Sequence, residues 1–427
     1  MKLDLTEIIN LVNYNKFHDA LKLINELENN HSEDFELINL KGFILLRLDE
    51  FEKSIEYFTK ALLEKKNSFL TLCYRSAAYS EIGNYEKALS DLKEAEMIQP
   101  NSHEIFFSIG DAYSNLGNND KAIEYFIKSI EIENNFDPAK ENLITKLTEI
   151  NTFEKTKSIN KIVKTHNAIN KIEYIYSQSN IIKEESLKAI FDKANKLINQ
   201  NFHNLITNQT QIFRRNKDEL KCDRHFLIFN NFNAIPKFCF NCFKVTIEVE
   251  NVIDLIKLYI VFDNISFTKN NIRKCMIESR PDIKGNYKGF IYCNSLSEAK
   301  NVKTQFKKII EKNINPNLSP EIKRGCSEFA EKFPKYKDFE NDSMKYDNSW
   351  EKYENMVDKK FSKFKSNRDN KETSKGINLK DILIIKNWLL FAKLTGDNSY
   401  KKISDESFNN EIFEKEFSRK IRNLNNI

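Results

Sequence analysis

Glycine is the first scarcity, with 9 residues in 427. No GxGxxG, GxxxxGKS/T or GxSxG pattern can be read anywhere. Backbone cradles for phosphate and nucleophile elbows need such glycines, so the usual dinucleotide, P-loop and α/β-hydrolase chemistries are excluded. Long apolar runs are missing too, none reaching the roughly 18 residues of a spanning helix, and membrane insertion is not expected. Cysteine is sparse, 7 in all and six of them after residue 220. That is too thin for a disulfide framework in a chain of this length, and it suits a reducing cytoplasm. The opening Met1, Lys2, Leu3, Asp4 places an acid where a secretory leader needs a basic and then apolar stretch, so no leader is expected.

What is abundant is charge and helix-forming polarity. Charged residues make up 30% and hydrophobic residues 40%, with a mean hydropathy of −0.57, a profile of surface-rich helical protein. The length predicts two or three folding units. Of the 67 Lys and Arg, 16 fall in residues 1–150, against 27 of the 62 Asp and Glu. The first part is therefore net −11 and the remainder net +16, which suggests separate domains with different partners.

The first third repeats itself every 34 residues. In blocks starting at residues 1, 35, 69 and 103, column 20 reads Ala20, Ser54, Ala88, Ala122 and column 24 reads Ile24, Phe58, Leu92, Phe126. Column 17 reads Phe17, Phe51, Tyr85, Asn119, and column 27 reads Leu27, Ala61, Ala95, Ser129. Gly42 and Gly110 share column 8, Gly83 and Gly117 share column 15, and Pro100 closes the third block. Small residues let two antiparallel helices approach, large ones fill the space between them, and glycine turns the chain from one helix into the next. One hairpin of this kind cannot bury its apolar face alone, so neighbours must stack.

Residues 1–136 thus resemble the tetratricopeptide repeat family, and Asp137 with Pro138 opens a capping helix that ends near residue 150. The resemblance implies a superhelix whose concave side binds protein or peptide. Its lining would come from Asn39, Phe43, Leu46 and Arg47, from Cys73, Ala77, Ser80 and Glu81, and from Phe107, Asp111, Ser114 and Asn115. Members that grip a C-terminal carboxylate carry a lysine in column 5. Here that column reads Leu5, Asn39, Cys73, Phe107, so a mixed apolar and weakly acidic groove is expected instead. The basic remainder of the same chain is a candidate occupant.

Residues 151–228 read as a helical bridge, with Leu187, Ile190, Phe191, Ala194 and Leu197 forming one apolar stripe. His166 and His203 stand without a partner in the pattern and read as ordinary helix positions. Residues 229–340 read as a cysteine-bearing α+β domain of βαββαβ order, the ferredoxin-like arrangement. Its strands are expected at 243–249, 273–278, 289–293 and 322–329, with helices at 252–265 and 297–314. A charged linker, expected to be mobile, follows at 341–376, and a C-terminal helical segment at 377–427 whose run from Ile382 to Leu394 demands burial. The fold class is multidomain and mainly α: an N-terminal solenoid, an α+β domain and a closing helix.

The chemistry of the second part would lie in its thiols. Cys239 and Cys242 form a CxxC, and Cys275, Cys293 and Cys326 are each expected on one of the later strands. Two thiolates from one turn and two from strands would build a tetrahedral structural zinc site. The alternatives are a thiol redox pair and inert burial among Phe238, Phe240 and Phe243. The stretch Lys288, Gly289, Phe290, Ile291, Tyr292 is similar to the RNA recognition motif, which implies RNA as an alternative partner. No HExxH, triad or telling carboxylate pair occurs, so the sequence assigns no catalytic residue.

Overall fold

The computed structural model describes residues 5–28, 34–149, 160–404 and 414–415, apart from 175, 178, 179, 203, 204, 215, 217–219, 268, 281, 282, 342 and 362–371. The chain divides into two compact units. One comprises Met1–Lys146 with Lys359–Arg368, and the other Leu147–Asp358 with Asp369–Ile427.

The first unit is a row of helix hairpins: α1 (Thr6–Asn13), α2 (Phe17–Glu28), α3 (Phe35–Arg47), α4 (Phe51–Glu64), α5 (Phe69–Glu81), α6 (Tyr85–Ile98), α7 (His103–Asn115), α8 (Asn119–Ile132) and α9 (Asp137–Lys146). Helices α2, α4, α6 and α8 begin at residues 17, 51, 85 and 119, one 34-residue step apart. Side-chain caps set several of these starts. Asp34 and Ser102 accept the amides of Leu37 and Ile105, and Asn84 and Asn118 those of Lys87 and Lys121. Capping satisfies amide donors that the first helical turn otherwise leaves unpaired.

The turn inside each hairpin uses one left-handed residue, always in column 15: Asn15, Asp49, Gly83 and Gly117, with φ of 57°, 60°, 73° and 78°. Glycine takes this conformation freely, and Asn and Asp are the side chains that tolerate it best. Packing between the helices follows a volume rule. Columns 20 and 24 are buried in all four repeats. Where column 24 holds a phenylalanine, Phe58 or Phe126, column 8 holds Gly42 or Gly110. A Cβ on either glycine would fall 2.8 or 2.7 Å from the ring. Where column 24 shrinks to Leu92, column 8 grows to Ser76. In these three repeats summed volume is held more closely than residue identity.

The second unit runs α10 (Lys161–Ile169), α11 (Glu184–Asn199), β1 (Gln211–Arg214), α12 (Cys222–Phe232), β2 (Phe243–Val249), α13 (Val252–Asn264), β3 (Arg273–Ile277), β4 (Tyr287–Cys293), α14 (Leu296–Asn313), β5 (Glu321–Arg324), α15 (Glu351–Phe361) and α16 (Leu379–Leu394). The five strands form one antiparallel sheet of order β1-β3-β4-β2-β5. Alternation sends Val245, Ile247, Gly289 and Ile291 to the face packed by helices, where a Cβ on Gly289 would strike Leu258 and Phe262 of α13. The opposite face carries Phe213, Lys274, Phe290, Tyr292 and Lys244.

Several local expectations change in the structure. The bridge contains an edge strand, β1, and the helix α12. In β1 only four residues pair, too few for an alternating pattern to stand out. The last strand ends at Arg324, so Cys326 lies beyond it, at the entry to a 3-10 turn over Ser327–Glu331. On α11 the buried stripe is Leu187, Phe191, Ala194, Asn195 and Ile198, with Ile198 in the place expected for Leu197. His166 is enclosed, and burial pulls its pKa down to about 4. His203 lies outside the described residues. Within 341–376, α15 is a regular helix. Trp350 before it packs on Phe333 and Tyr346, with ring centres 5.5 and 6.1 Å apart.

Helix α16 is buried almost all round, Trp388 and Phe391 completely. Its polar atoms find partners: Asn387 donates to the carbonyls of Thr207 and Gln209, and the Trp388 indole N–H to that of Thr210. An enclosed ionic cluster joins three elements. Arg214 of β1 bonds Asp263 of α13 and Asp381 of α16, the latter at 2.9 Å. Tyr259 donates to the same Asp381 oxygen at 2.9 Å. Asn378 caps α16 by accepting the Asp381 amide, and its own side-chain amide donates to the Asp381 carboxylate.

Candidate functional site

Between α5 and α7 the first unit has a groove of about 450 Å³. Its walls are Phe69, Cys73, Ala77 and Ser80 on one side and Ile105, Phe107, Ser108 and Asp111 on the other, with Glu81 and Glu104 at the edges. Side chains three and four residues apart along α5 and α7 share a helix face, which is why a 34-residue period lines them up across the groove. Phe107 is held by Phe126 and Phe136, at ring-centre distances of 5.9 and 5.4 Å.

The charge of this groove has one sign. Glu81, Glu104 and Asp111 line it, and among the described residues no lysine or arginine does. The nearby Arg75 is committed to Asp91 through two bonds of 2.7 and 2.8 Å. A hydrogen bond from the Ser102 hydroxyl holds the Glu104 carboxyl below its ordinary pKa, so it stays ionised. Burial pushes the Cys73 thiol up to about 11, so at neutral pH it is an uncharged wall and not a nucleophile. Asp111 accepts from the Asn115 side-chain amide at 3.0 Å, which fixes its carboxylate without neutralising it.

Of the residues expected to line a groove, Cys73, Ala77, Ser80, Glu81, Phe107 and Asp111 do so together. The four from α3 do not line this groove. Asn39 accepts the Thr71 hydroxyl, Phe43 packs on Tyr74 at 5.0 Å, and Arg47 lies over the Phe17 ring. Leu46 is half-buried. Glu104 and Phe69 were not singled out by the sequence columns. Both sit at the ends of their helices, beyond the positions that a groove inferred from helix centres would use.

The cysteines divide into two groups. Cys222 lies close to Cys326 and His225, and Cys326 to Cys239 and Cys242. The backbone N–H of Gly325 donates to the Cys242 carbonyl at 2.9 Å, and a Cβ there would collide with the Cys242 sulfur. Cys275 and Cys293 instead lie on the helix-covered face of the sheet, opposite Gly289 and Phe243. The five-thiol set expected for zinc is therefore not one cluster, and Cys222, from a segment read only as bridge, joins three of its members. Among the described residues no group of three or more His, Cys, Asp or Glu side chains is arranged to hold a metal ion. Burial pushes Cys242 and Cys293 up to about 12.

The stacked hairpins with this groove form an α-solenoid. Residues 35–67 and 103–136 match the tetratricopeptide repeat model, and the N-terminal repeats are tetratricopeptide repeats. No curated protein matches the chain. Among solved structures, MamA (residues 41 to the end) from Desulfovibrio magneticus RS-1 is 20% identical, with a TM-score of 0.32, over 33% of this chain and 78% of that one. TTC0263 from Thermus thermophilus is 21% identical, with a TM-score of 0.29, over 33% and 78%. The Sgt2 TPR domain from Aspergillus fumigatus is 29% identical, with a TM-score of 0.25, over 26% and 76%. Among the described residues no helix is long and apolar enough to cross a membrane.

Proposed function

We propose that this protein is an interaction scaffold whose α5–α7 groove takes a basic peptide segment, and that the second unit is the cargo so delivered. The observation that carries this reading is the charge of the groove: three carboxylates line it without a cation. A bound lysine or arginine would neutralise Glu104 or Asp111, while an apolar neighbour in the peptide packs on Phe69 and Phe107. Such complementarity selects partners and speeds encounter more than it adds raw affinity. Column 5 lacks lysine, which argues against capture of a C-terminal carboxylate.

The cargo unit contains βαββαβ in β2-α13-β3-β4-α14-β5, and the strand order β5-β2-β4-β3 with every neighbour antiparallel supports its assignment to the ferredoxin-like arrangement. Strand β1 is an addition at the far edge. The test is fluorescence anisotropy with a labelled nonapeptide carrying three lysines around one leucine. Phe107→Ala and Asp111→Lys should each weaken binding at least tenfold, and a glutamate-substituted peptide should not bind. Equal binding of the acidic peptide, or unchanged binding by both variants, would refute the groove assignment.

A further inference from the structure

We propose that the face of the sheet turned away from α13 and α14, at Lys244, Lys274 and Phe290, is a binding site for a phosphate group. The site is built by strand register. Phe290 of β4 is paired with Lys274 of β3 on one side and Thr246 of β2 on the other, and Lys244 of β2 stands opposite Tyr292. The two ammonium groups therefore converge on one ring. Lys244 Nζ is 5.4 Å and Lys274 Nζ 5.1 Å from the Phe290 centre, and Phe213 flanks Lys274 at 5.5 Å.

Among the described residues, the hydrogen-bond partners of both lysines are neutral. Lys244 donates to the Ser327 hydroxyl at 3.2 Å and Lys274 to the Gln211 side-chain oxygen at 3.4 Å. The carboxylates nearby are ion-paired to other cations, Glu278 to Arg280 and Lys288, Glu328 to Arg280, and Glu321 to Lys323, although Glu328 also attracts both lysines and Glu278 attracts Lys274. The thiols beyond Tyr292 add no negative charge, since Cys222, Cys242 and Cys326 are all held above the ordinary thiol range. Burial, and then repulsion from Lys244, pulls the Lys274 ammonium down to about 8. Lys244 is lowered as well, chiefly by burial.

Two half-buried cations held over one ring represent stored repulsion, only partly relieved by the ring's negative face. One anion lying between them relieves it. Two such charges match a phosphate dianion, whereas a carboxylate would leave one unmatched. The dianionic charge is that of a phosphate monoester; a nucleic-acid backbone diester carries one charge and would leave one ammonium unmatched, and the probes below separate the two.

Calorimetry on the full chain at pH 7 and 50 mM NaCl would use inorganic phosphate and an eight-residue oligouridylate as separate probes. Inorganic phosphate should bind. Lys244→Gln with Lys274→Gln should weaken it tenfold or more, the corresponding double arginine variant should retain it, and Lys300→Gln, on the other side of the sheet, should change it less than twofold. Binding of inorganic phosphate assigns a monoester. Binding of the oligouridylate alone, weakening steeply with salt, would mean a backbone phosphate and overturn the monoester proposal. If inorganic phosphate does not bind, or if the double glutamine variant binds like the parent, the proposal is wrong.

Discussion

Replacing Arg214 by methionine removes the cation that lies between two enclosed carboxylates. Arg214, Asp263 and Asp381 have side chains only 4–5% exposed. Their partners in the variant would be neutral donors: the Gly376 N–H and Tyr174 hydroxyl for Asp263, the Tyr259 hydroxyl and Asn378 amide for Asp381. Breaking a buried pair by removing one member costs about 3–5 kcal/mol, because an uncompensated charge stays behind. That is a large share of the about 5–15 kcal/mol that holds a typical domain together.

The assay is urea unfolding followed by tryptophan fluorescence. The chain's 2 tryptophans, Trp350 and Trp388, both lie in the second unit, so the signal reads that unit without the solenoid. Burial already raises the Asp381 pKa in the intact protein, and loss of Arg214 would raise it further. An acid with a raised folded pKa binds its proton more readily folded than unfolded, so the deficit of the variant should shrink as pH falls from about 7.5 towards 5. Adding Asp263→Asn and Asp381→Asn to Arg214→Met should recover about 2 kcal/mol, since the charges themselves are then gone. A loss below about 1 kcal/mol for the single variant, or no recovery in the triple one, would refute the claim that this cluster ties β1 to α13 and α16.

Two further tests address the repeat packing and the buried histidine. Gly110→Ala should destabilise the solenoid by about 1–3 kcal/mol through overpacking on Phe126, read from the helical circular dichroism melt. Adding Phe126→Leu should restore most of it, as the Ser76 and Leu92 pairing does naturally; no restoration would contradict the volume rule. His166 has its pKa lowered by burial to about 4. Between pH about 6.5 and 4 the unfolded chain therefore takes up the proton first, and stability should fall by up to about 3 kcal/mol as pH drops through that window. His166→Gln should flatten the urea midpoint over the same range, and an unchanged slope would count against it.

The solenoid was legible because its forces are local and repeated. Columns 20 and 24 become its buried positions. The column 15 turn was visible only at Gly83 and Gly117, since Asn15 and Asp49 do the same work without the glycine signature. Strands β2, β3 and β4 were legible from alternation and β-branched residues. Strand β1 was not, because four residues bear no readable period. The groove was half legible. Which helix pair would open a cleft depends on what Asn39, Phe43 and Arg47 touch, and those partners, Thr71, Tyr74 and Phe17, lie a whole repeat away in the chain.

Sequence by itself determined the period, the helix starts, the small-against-large pairing and the sign of charge in each part, because all of these are properties of neighbours along the chain or of composition. Tertiary structure alone decided which thiols meet, that Arg214 closes the ring of Asp263 and Asp381, and that Lys244 and Lys274 lie by one aromatic ring. Such meetings depend on strand order and crossover, and residues far apart in the chain acquire a common environment only when the backbone brings them there.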